Sequence, residues 1–255
     1  MRRVRREGQK QMTPEDKGRH YNTKFYRELA AAQNSAREVL PIIFQVVKPT
    51  SMVDIGCGTG NWLASAMEFG VRDVLGIDGD WVDKAQLAIP PENFRARDLA
   101  PPLKLDRRFD LAISFEVAEH LPEAAAHTFI QSLCDASDVI AFSAAIPGQG
   151  GRRHLNEQWP GYWAALFREF GYDCYDYLRP KIWENPRVAW YYAQNSLIFA
   201  RGAAQSRFQL GSPKQPLPLV HPGLWSAEVA RMKRPGKLLE RLLKAIVSPA
   251  RKKRG

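Results

Sequence analysis

Apolar positions along the chain fall into short runs of strand length, separated by stretches with helical spacing. Helical spacing occurs over residues 61–69, 126–133 and 159–170. The runs of strand length lie at 52–55, 74–78, 93–99, 109–116, 139–143, 172–178 and 192–200. Strands that alternate with helices in this way predict an α/β fold, in which a parallel sheet is covered by helices on both faces.

The first predicted strand ends in a turn that has glycine at alternate positions, Gly56, Gly58 and Gly60. A main chain without side chains lets a ligand come close to it. Asp54 directly precedes the turn, and a carboxylate there favours a cationic ligand and repels a phosphate. The spacing is D-x-G-x-G-x-G, unlike the G-x-G-x-x-G of dinucleotide-binding folds. At this point the chain resembles the class I S-adenosylmethionine-dependent methyltransferases, whose cofactor carries an ammonium and a sulfonium.

The resemblance covers roughly residues 36–201 and implies a Rossmann-like sheet of seven strands, mostly parallel, in the order 3-2-1-4-5-7-6 with an antiparallel last strand. It also implies that Asp78 accepts hydrogen bonds from ribose hydroxyls and that Asp98 accepts one from the adenine amino group. Trp81 is placed to lie against the adenine. The cofactor-binding set predicted in this way is Asp54, Gly56, Cys57, Gly58, Gly60, Asp78, Gly79, Asp98, Leu99 and Glu116.

The loop after the fourth predicted strand contains Glu116, Glu119 and His120, and a later glycine-rich loop contains His154. This set resembles the E-x-x-E-H run and distal histidine that bind a divalent ion in small-RNA 2′-O-methyltransferases. Ubiquinone-pathway O-methyltransferases share a similar run. The resemblance implies that the four side chains hold Mg²⁺, Mn²⁺ or Zn²⁺. In the alternative without metal, Glu116 lines the cofactor pocket and His120 caps the next helix. Glu119, His120 and His154 are the predicted catalytic residues, with a histidine as general base or acceptor contact.

The net charge of +10 is concentrated at the two ends of the chain. Residues 1–19 carry seven Lys/Arg and three acids, and residues 231–255 carry ten and one, which leaves residues 20–230 at −3. Nucleic-acid enzymes usually carry positive charge around the cleft, so a nucleic-acid acceptor is less favoured. The predicted organisation is a basic flexible arm over 1–19, a catalytic domain over 20–201 that starts with N-terminal helices over 20–48, a Pro-rich linker over 202–230 and a basic amphipathic helix over 231–255.

The cysteine pattern and the apolar pattern both bear on location. Cys57, Cys134 and Cys174 lie far apart in predicted core elements, which favours a reducing compartment. The chain has no apolar run of membrane-spanning length and no signal-peptide pattern, so we expect a cytoplasmic protein. In residues 235–247 an apolar stripe lies opposite Lys and Arg. This helix is predicted to rest on the anionic inner face of the membrane, to dock on a partner or to pack back on its own domain.

The acceptor is predicted from residues 179–191, which combine aromatic with cationic side chains. Aromatic faces pack against sugar C–H surfaces, and cations suit phosphate or uronate groups. The segments 154–163 and 219–222 also look similar to methyltransferases found with bacterial surface-glycan biosynthesis. The predicted reaction is O-methylation of a sugar hydroxyl in a glycan or glycolipid precursor. The alternatives are metal-assisted 2′-O-methylation of RNA, methylation of another small molecule such as a quinone precursor, and a cofactor-binding module without turnover.

Overall fold

A computed structural model describes residues 23–208 and 215–232 of the protein. Its strands are β1 Ser51–Ile55, β2 Asp73–Asp78, β3 Phe94–Ala96, β4 Leu111–Phe115, β5 Val139–Ser143, β6 Asp173–Tyr175 and β7 Leu197–Ala200. They form one sheet in the order β3-β2-β1-β4-β5-β7-β6. β7 is antiparallel to β5 and β6, and the other neighbouring strands are parallel. The predicted fold class and strand order are confirmed.

Helices cover both faces of this sheet. The α-helices are α1 Thr23–Val47, α2 Asn61–Glu68, α3 Ala126–Ala136, α4 Pro160–Glu169, α5 Arg179–Ile182, α6 Trp190–Asn195 and α7 Pro222–Met232. Short 3₁₀ helices occur at Lys84–Gln86, Pro91–Asn93, Ala118–His120, Glu123–Ala125 and Gly202–Phe208. The N-terminal helical region predicted over 20–48 is thus one helix, α1.

Successive residues of β1 are buried on opposite sides of the sheet. Met52 belongs to a core that includes Ile43 of α1 and Leu63 of α2. Val53 belongs to a second core that includes Phe129 of α3 and Phe167 of α4. Because both faces are covered, ligands can reach the sheet only where the strands end.

The predicted strand over 192–200 is wrong in its first half. Residues 190–195 form α6, and only Leu197–Ala200 enter the sheet as β7. Tyr192 packs against Trp62 and Phe115, with ring centroids 5.2 and 6.0 Å apart. These tertiary contacts outweigh the β propensity of an aromatic run.

The segment after β7 packs on the domain where the structure describes it. Residues 215–221, which we call the C-terminal strap, lead into α7. The buried Arg179 donates a hydrogen bond of 2.9 Å from Nη1 to the carbonyl of Leu217. The strap and all but the last two residues of α7 therefore lie in the region predicted as a Pro-rich linker. The predicted arm over 1–19, and residues 233–255 of the predicted C-terminal helix, lie outside the described residues.

Among the described residues, no helix has both the length and the apolar character needed to cross a membrane. The three cysteines are buried free thiols. Nothing in the described fold therefore depends on a disulfide.

Candidate active site

The glycine turn after β1 is held against the end of β2. The amides of Gly56 and Cys57 both donate to the carbonyl of Ile77, at 2.7 and 3.2 Å. Gly56 has a φ of 93°, and a Cβ there would lie 2.3 Å from the side chain of Val117, so only glycine fits. Gly58 has a φ of 54°, and a Cβ built there would have no neighbouring atom within 4 Å. The turn therefore presents bare backbone to open space at Gly58.

Asp78, at the end of β2, holds this turn in place by hydrogen bonds. Its Oδ2 accepts from the Gly58 amide at 2.7 Å, and its Oδ1 accepts from the Gly79 amide at 2.6 Å. Burial raises the pKa of this carboxyl, and the two backbone hydrogen bonds partly offset that rise. Asp78 thus shapes the turn, and its remaining lone pairs are free to meet a ligand.

Asp54 lies inside β1 and is almost completely buried, at 2% exposure. Its Oδ2 has no hydrogen-bond partner. Burial, and then the charge of Asp78, raise the pKa of Asp54 well above its ordinary value. A buried carboxyl oxygen without a partner is costly for the fold, and a bound cation would relieve the cost.

The residues predicted to meet the adenine lie at the next strand end. The Arg97 amide donates to the carbonyl of Asp78 at 2.7 Å, which brings Asp98 to the edge where β2 stops. Asp98 is exposed and accepts from the Ala100 amide at 3.0 Å, whereas Leu99 is buried. Trp81 is 71% exposed, and its ring covers Gly79 so closely that a Cβ there would clash at 2.1 Å.

Glu116 follows β4 with a φ of 56°, a left-handed conformation that is unusual for a non-glycine residue. Two side-chain amides hold its carboxylate, Gln149 Nε2 at 2.8 Å and Asn195 Nδ2 at 3.0 Å. Burial raises the pKa of Glu116, and these amides partly offset the rise. Glu116 is thus fixed in place by hydrogen bonds within the protein.

The amides around Glu116 form a connected group, which we call the amide cluster: Gln149, Gln194 and Asn195. Gln149 Oε1 accepts from Gln194 Nε2 at 3.1 Å and from Asn195 Nδ2 at 2.9 Å. Gln194 Oε1 accepts from the His221 amide of the C-terminal strap at 2.8 Å. Sequence reasoning missed this cluster. The available signal was that two amide residues interrupt the apolar run 192–200.

Glu119 is completely buried in the 3₁₀ turn after β4, and neither carboxylate oxygen has a hydrogen-bond partner. Burial, and then the charge of Glu116, raise the pKa of Glu119 well above its ordinary value. One ligand atom each from Glu119, His120 and His154 lie within 4.8 Å of one another. The structure thus gathers three of the four predicted metal ligands, and Glu116 lies outside that group.

His154 is held over Glu119 by the backbone that follows it. The amides of Leu155 and Asn156 both donate to the carbonyl of Glu119, at 2.7 and 3.0 Å. The His154 and His120 rings meet edge to face, with centroids 4.9 Å apart. Burial, and then His154, lower the pKa of His120. A lowered pKa favours the neutral form of His120, and a neutral imidazole can act as a ligand or a base.

Glu157 orients His154, with 2.8 Å between Nδ1 and Oε1. The carboxylate is itself fixed, because Oε1 accepts from the Gly150 amide and Oε2 from the Gly148 amide, both at 2.8 Å. A carboxylate that holds one ring nitrogen leaves the other as the basic atom. Sequence reasoning expected Glu157 to face the site but gave it no role, although its i,i+3 spacing from His154 was visible.

The cations predicted to meet the acceptor are engaged within the protein instead. Arg179 is 1% exposed and pairs through two nitrogens with Asp176, at 2.6 and 2.8 Å. Arg187 pairs with Glu38 of α1 at 2.9 Å. Lys181 lies over the ring of Tyr177, 3.8 Å from its centroid. Arg179 is thus buried in a structural ion pair, whereas Arg187 stays 73% exposed while it pairs with Glu38.

His221 fixes the C-terminal strap in the same wall. Its Nδ1 accepts from the Gly223 amide at 2.9 Å, so Nε2 carries the proton and donates to the carbonyl of Trp183 at 2.8 Å. Its ring also packs on Trp183, with centroids 4.7 Å apart. His221 is therefore a structural residue.

Comparison with known proteins agrees with this geometry. A family model described as a methyltransferase domain matches residues 17–164, more than half of the chain. No curated protein matches the sequence. Among solved structures, DesVI of Streptomyces venezuelae is 13% identical with a TM-score of 0.53, and the match covers 73% of this chain and 98% of that one.

Two further solved structures are similar in fold. Magnesium protoporphyrin IX methyltransferase (ChlM) of Synechocystis, solved with bound SAM, is 17% identical with a TM-score of 0.51, over 76% of this chain and 87% of that one. Human N-acetylserotonin methyltransferase is 16% identical with a TM-score of 0.47, over 66% of this chain. The chain spans about half of that human protein, 52%.

At these identities the solved structures show the fold alone, so the family rests on the domain match. That match covers the glycine turn, the E-x-x-E-H run and His154, on a sheet with the expected strand order. The protein belongs to the methyltransferase domain family, and it is a class I S-adenosylmethionine-dependent methyltransferase.

Proposed function

We propose that the protein transfers the methyl group of S-adenosylmethionine to a sugar hydroxyl in a glycan or glycolipid precursor. The observation that carries this proposal is the pair His154 and Glu157, joined at 2.8 Å beside the ends of β4 and β5. A hydroxyl must lose a proton as it is methylated, and an oriented imidazole is suited to take it. Because the three thiols are free, we place the reaction in the cytoplasm.

The residues at the β1 and β2 ends fit the proposed cofactor. Gly58 offers bare backbone with open space beside it. Asp54, whose buried Oδ2 has no partner, and the fixed carboxylate of Asp78 belong to this turn, and a bound cation would favour their ionised forms. This combination suits a nucleoside that carries positive charge, with Asp78 on the ribose and Asp98 on the adenine.

The reaction requires the protein to position the acceptor against the methyl group and to supply one base. A bond forms between the acceptor oxygen and the methyl carbon while the C–S bond breaks, and the hydroxyl proton passes to Nε2 of His154. Glu157 holds Nδ1 and stabilises the imidazolium that results. A Cβ at position 151 would lie 2.0 Å from Nε2, so the His154 ring packs against Gly151 and a larger residue there would displace the ring.

Exposed apolar side chains flank this base. Leu155 is 65% exposed and Trp159 is 41% exposed, directly after His154 in the chain. An indole face packs well against the C–H surface of a sugar ring. This surface, and not the engaged cations of 179–191, supports a carbohydrate acceptor.

A radiolabelled methyl-transfer assay tests the proposal. Full-length protein receives tritiated S-adenosylmethionine with sugar nucleotides, with lipid-linked glycans and with RNA, in separate reactions. We expect label in a carbohydrate acceptor, and none when Gly151→Leu displaces the His154 ring. Transfer to RNA alone, or to no carbohydrate while the cofactor still binds, would overturn the carbohydrate assignment.

A metal-assisted reaction at an RNA 2′-hydroxyl is the second candidate, and Glu119 favours it. Its two unpartnered oxygens beside two imidazoles fit a divalent cation, held by Glu119, His120 and His154. Such an ion supplies polarisation of the acceptor hydroxyl.

Calorimetry with Mg²⁺, Mn²⁺ and Zn²⁺ tests that site directly. Binding that His120→Ala abolishes, and that Glu116→Gln leaves intact, supports three ligands. Full methyl transfer after exhaustive chelation would remove the metal from the mechanism.

A further inference from the structure

The large apolar side chains exposed in the glycine-rich loop region and on α7 include Leu155, Trp159, Trp225 and Met232. They are 65, 41, 67 and 41% exposed, respectively. Single exposed apolar residues are ordinary, but a group beside a catalytic opening indicates a surface that is covered in use. We call this group the apolar rim.

The two halves of the rim come from distant parts of the chain and are brought together by α7. Arg231, in the last turn of α7, packs on the glycine-rich loop, so that a Cβ on Gly150 would lie 3.0 Å from its Nη1. The Gly150 amide in turn donates to Glu157, which lies between Leu155 and Trp159 in the chain. Trp225 and Met232 are seven residues apart and share one side of α7.

Positive charge surrounds the rim. Arg152 and Arg153 are exposed in the loop that carries Leu155. Arg231 lies beside the same loop and pairs with Glu228 at 2.6 Å. The chain leaves the described structure at Met232, within the rim, and its next 23 residues contain nine Lys/Arg and one Glu. The rim thus joins exposed apolar groups to a strongly basic segment.

We propose that the apolar rim docks the protein on an anionic phospholipid membrane, with the catalytic opening facing the headgroups. Trp, Met and Leu insert at the headgroup level, and the cations around them meet anionic lipid. RNA would use the same cations, but it offers little to the aliphatic side chains of Leu155 and Met232. This inference rests on the proposed function only for the acceptor that such a position would reach, a lipid-linked glycan.

The expected loss of vesicle binding follows from the free energies of membrane contact. Each Lys or Arg near an anionic membrane contributes about 1 kcal/mol, and each buried apolar CH₂ about 0.8 kcal/mol. Replacing two rim side chains with Ser should therefore weaken vesicle binding about tenfold or more. The basic segment alone would be insensitive to these replacements.

Vesicle co-sedimentation of the full-length protein tests the rim. We compare vesicles of phosphatidylglycerol and phosphatidylcholine with vesicles of phosphatidylcholine alone. The test variants are the pairs Trp225→Ser/Met232→Ser and Leu155→Ser/Trp159→Ser. The matched control is Phe69→Ser, which removes an aromatic side chain of 45% exposure at the far end of α2, near the opposite edge of the sheet. Circular dichroism checks that every variant is folded.

We expect the parent and the Phe69 variant to bind the anionic vesicles equally, and each rim pair to bind about tenfold more weakly. The proposal would be overturned if all four proteins bound the vesicles equally. It would also be overturned if the protein bound RNA to saturation but did not bind the lipid vesicles. The readout is binding and not turnover, so a failure to methylate any glycan leaves this result intact and identifies a separate error.

Discussion

Acidic residues at the two edges of the sheet differ in their hydrogen bonds and in the direction of their pKa shifts. At the amino edge, Asp110 accepts hydrogen bonds from the Thr50 amide and hydroxyl and from the Ser51 amide, at 2.8, 2.7 and 3.0 Å. Burial would raise its pKa, but these hydrogen bonds outweigh it and lower the pKa of Asp110. Asp138 at the same edge pairs with both Arg108 and Arg201, at 2.6 and 2.7 Å.

At the carboxyl edge, Asp78 and Glu116 keep their hydrogen bonds, but two other acids are deeply buried and less well paired. Asp54 and Glu119 keep unpartnered oxygens, and burial raises the pKa of each. Glu116 is held in a left-handed conformation. Unsatisfied charge and backbone strain persist in a folded protein where function requires them. The comparison therefore locates the functional edge without reference to any motif.

The largest effect is expected where the proposed base is removed. His154→Ala should lower kcat about 10²- to 10⁴-fold with little change in cofactor affinity, because it removes the base that takes the acceptor proton. Glu157→Gln should lower kcat less and leave KM near the parent value, since it only orients the ring. Steady-state methyl transfer and calorimetry measure the two quantities. Parent-like kcat in His154→Ala would show that this edge does not supply the base.

A smaller loss is expected at Asp78, which serves both the turn and the ligand. Asp78→Ala should weaken S-adenosylmethionine binding about 10- to 100-fold, because it removes a charged acceptor and frees the Gly58 and Gly79 amides. The exposed neighbour Asp80 provides the control, as Asp80→Ala. Calorimetry reports both affinities, and equal values for the two variants would refute the ribose assignment.

Asp54 tests the cost of leaving a carboxyl unpartnered. A raised pKa means that the ionised form destabilises the fold, so stability is lost as the pH rises through that raised value. Asp54→Asn should therefore stabilise the ligand-free protein by about 1 kcal/mol at alkaline pH, and by less as the pH falls. Thermal unfolding across pH measures this gain. Calorimetry on the same variant should show weaker cofactor binding, and a stable variant with undiminished affinity would contradict the role of Asp54.

The smallest effect on stability is expected at Asp110 on the amino edge. Its sign is opposite to that expected for Asp54. A lowered pKa means that the ionised form stabilises the fold, so the contribution is lost as the pH falls through that lowered value. Asp110→Asn should destabilise the protein by about 0.5–1 kcal/mol near neutral pH, since the carboxyl is exposed, and should leave methyl transfer unchanged. Urea unfolding measures the loss. A stabilised Asp110→Asn variant would break the comparison between the two edges.

Much of the fold followed from local patterns. The apolar runs located β1, β2 and β5 closely, and the glycine turn marked the ligand-binding end of β1. The run over 192–200 misled, because Tyr192 takes part in an aromatic contact with Trp62 that no local period encodes. The strand order came from the family resemblance, since apolar periodicity does not specify which strands are neighbours.

The candidate site was predictable in its residue types but not in its partnerships. Glu119, His120 and His154 were expected together and are found together. Glu116 was expected with them, and Gln149 and Asn195 hold its carboxylate by hydrogen bonds. Residues 33 and 79 positions away from Glu116 supply these hydrogen bonds, so no spacing in the chain announces them.

The sequence by itself determined the fold class, the glycine turn and the acids at the strand ends, because each depends on a few neighbouring residues and on backbone geometry. Only the tertiary structure decided which acids stay unpartnered, which cations are already engaged, and how α7 joins the glycine-rich loop. These outcomes depend on burial and on hydrogen bonds between distant segments, and such contacts exist only after the chain has folded.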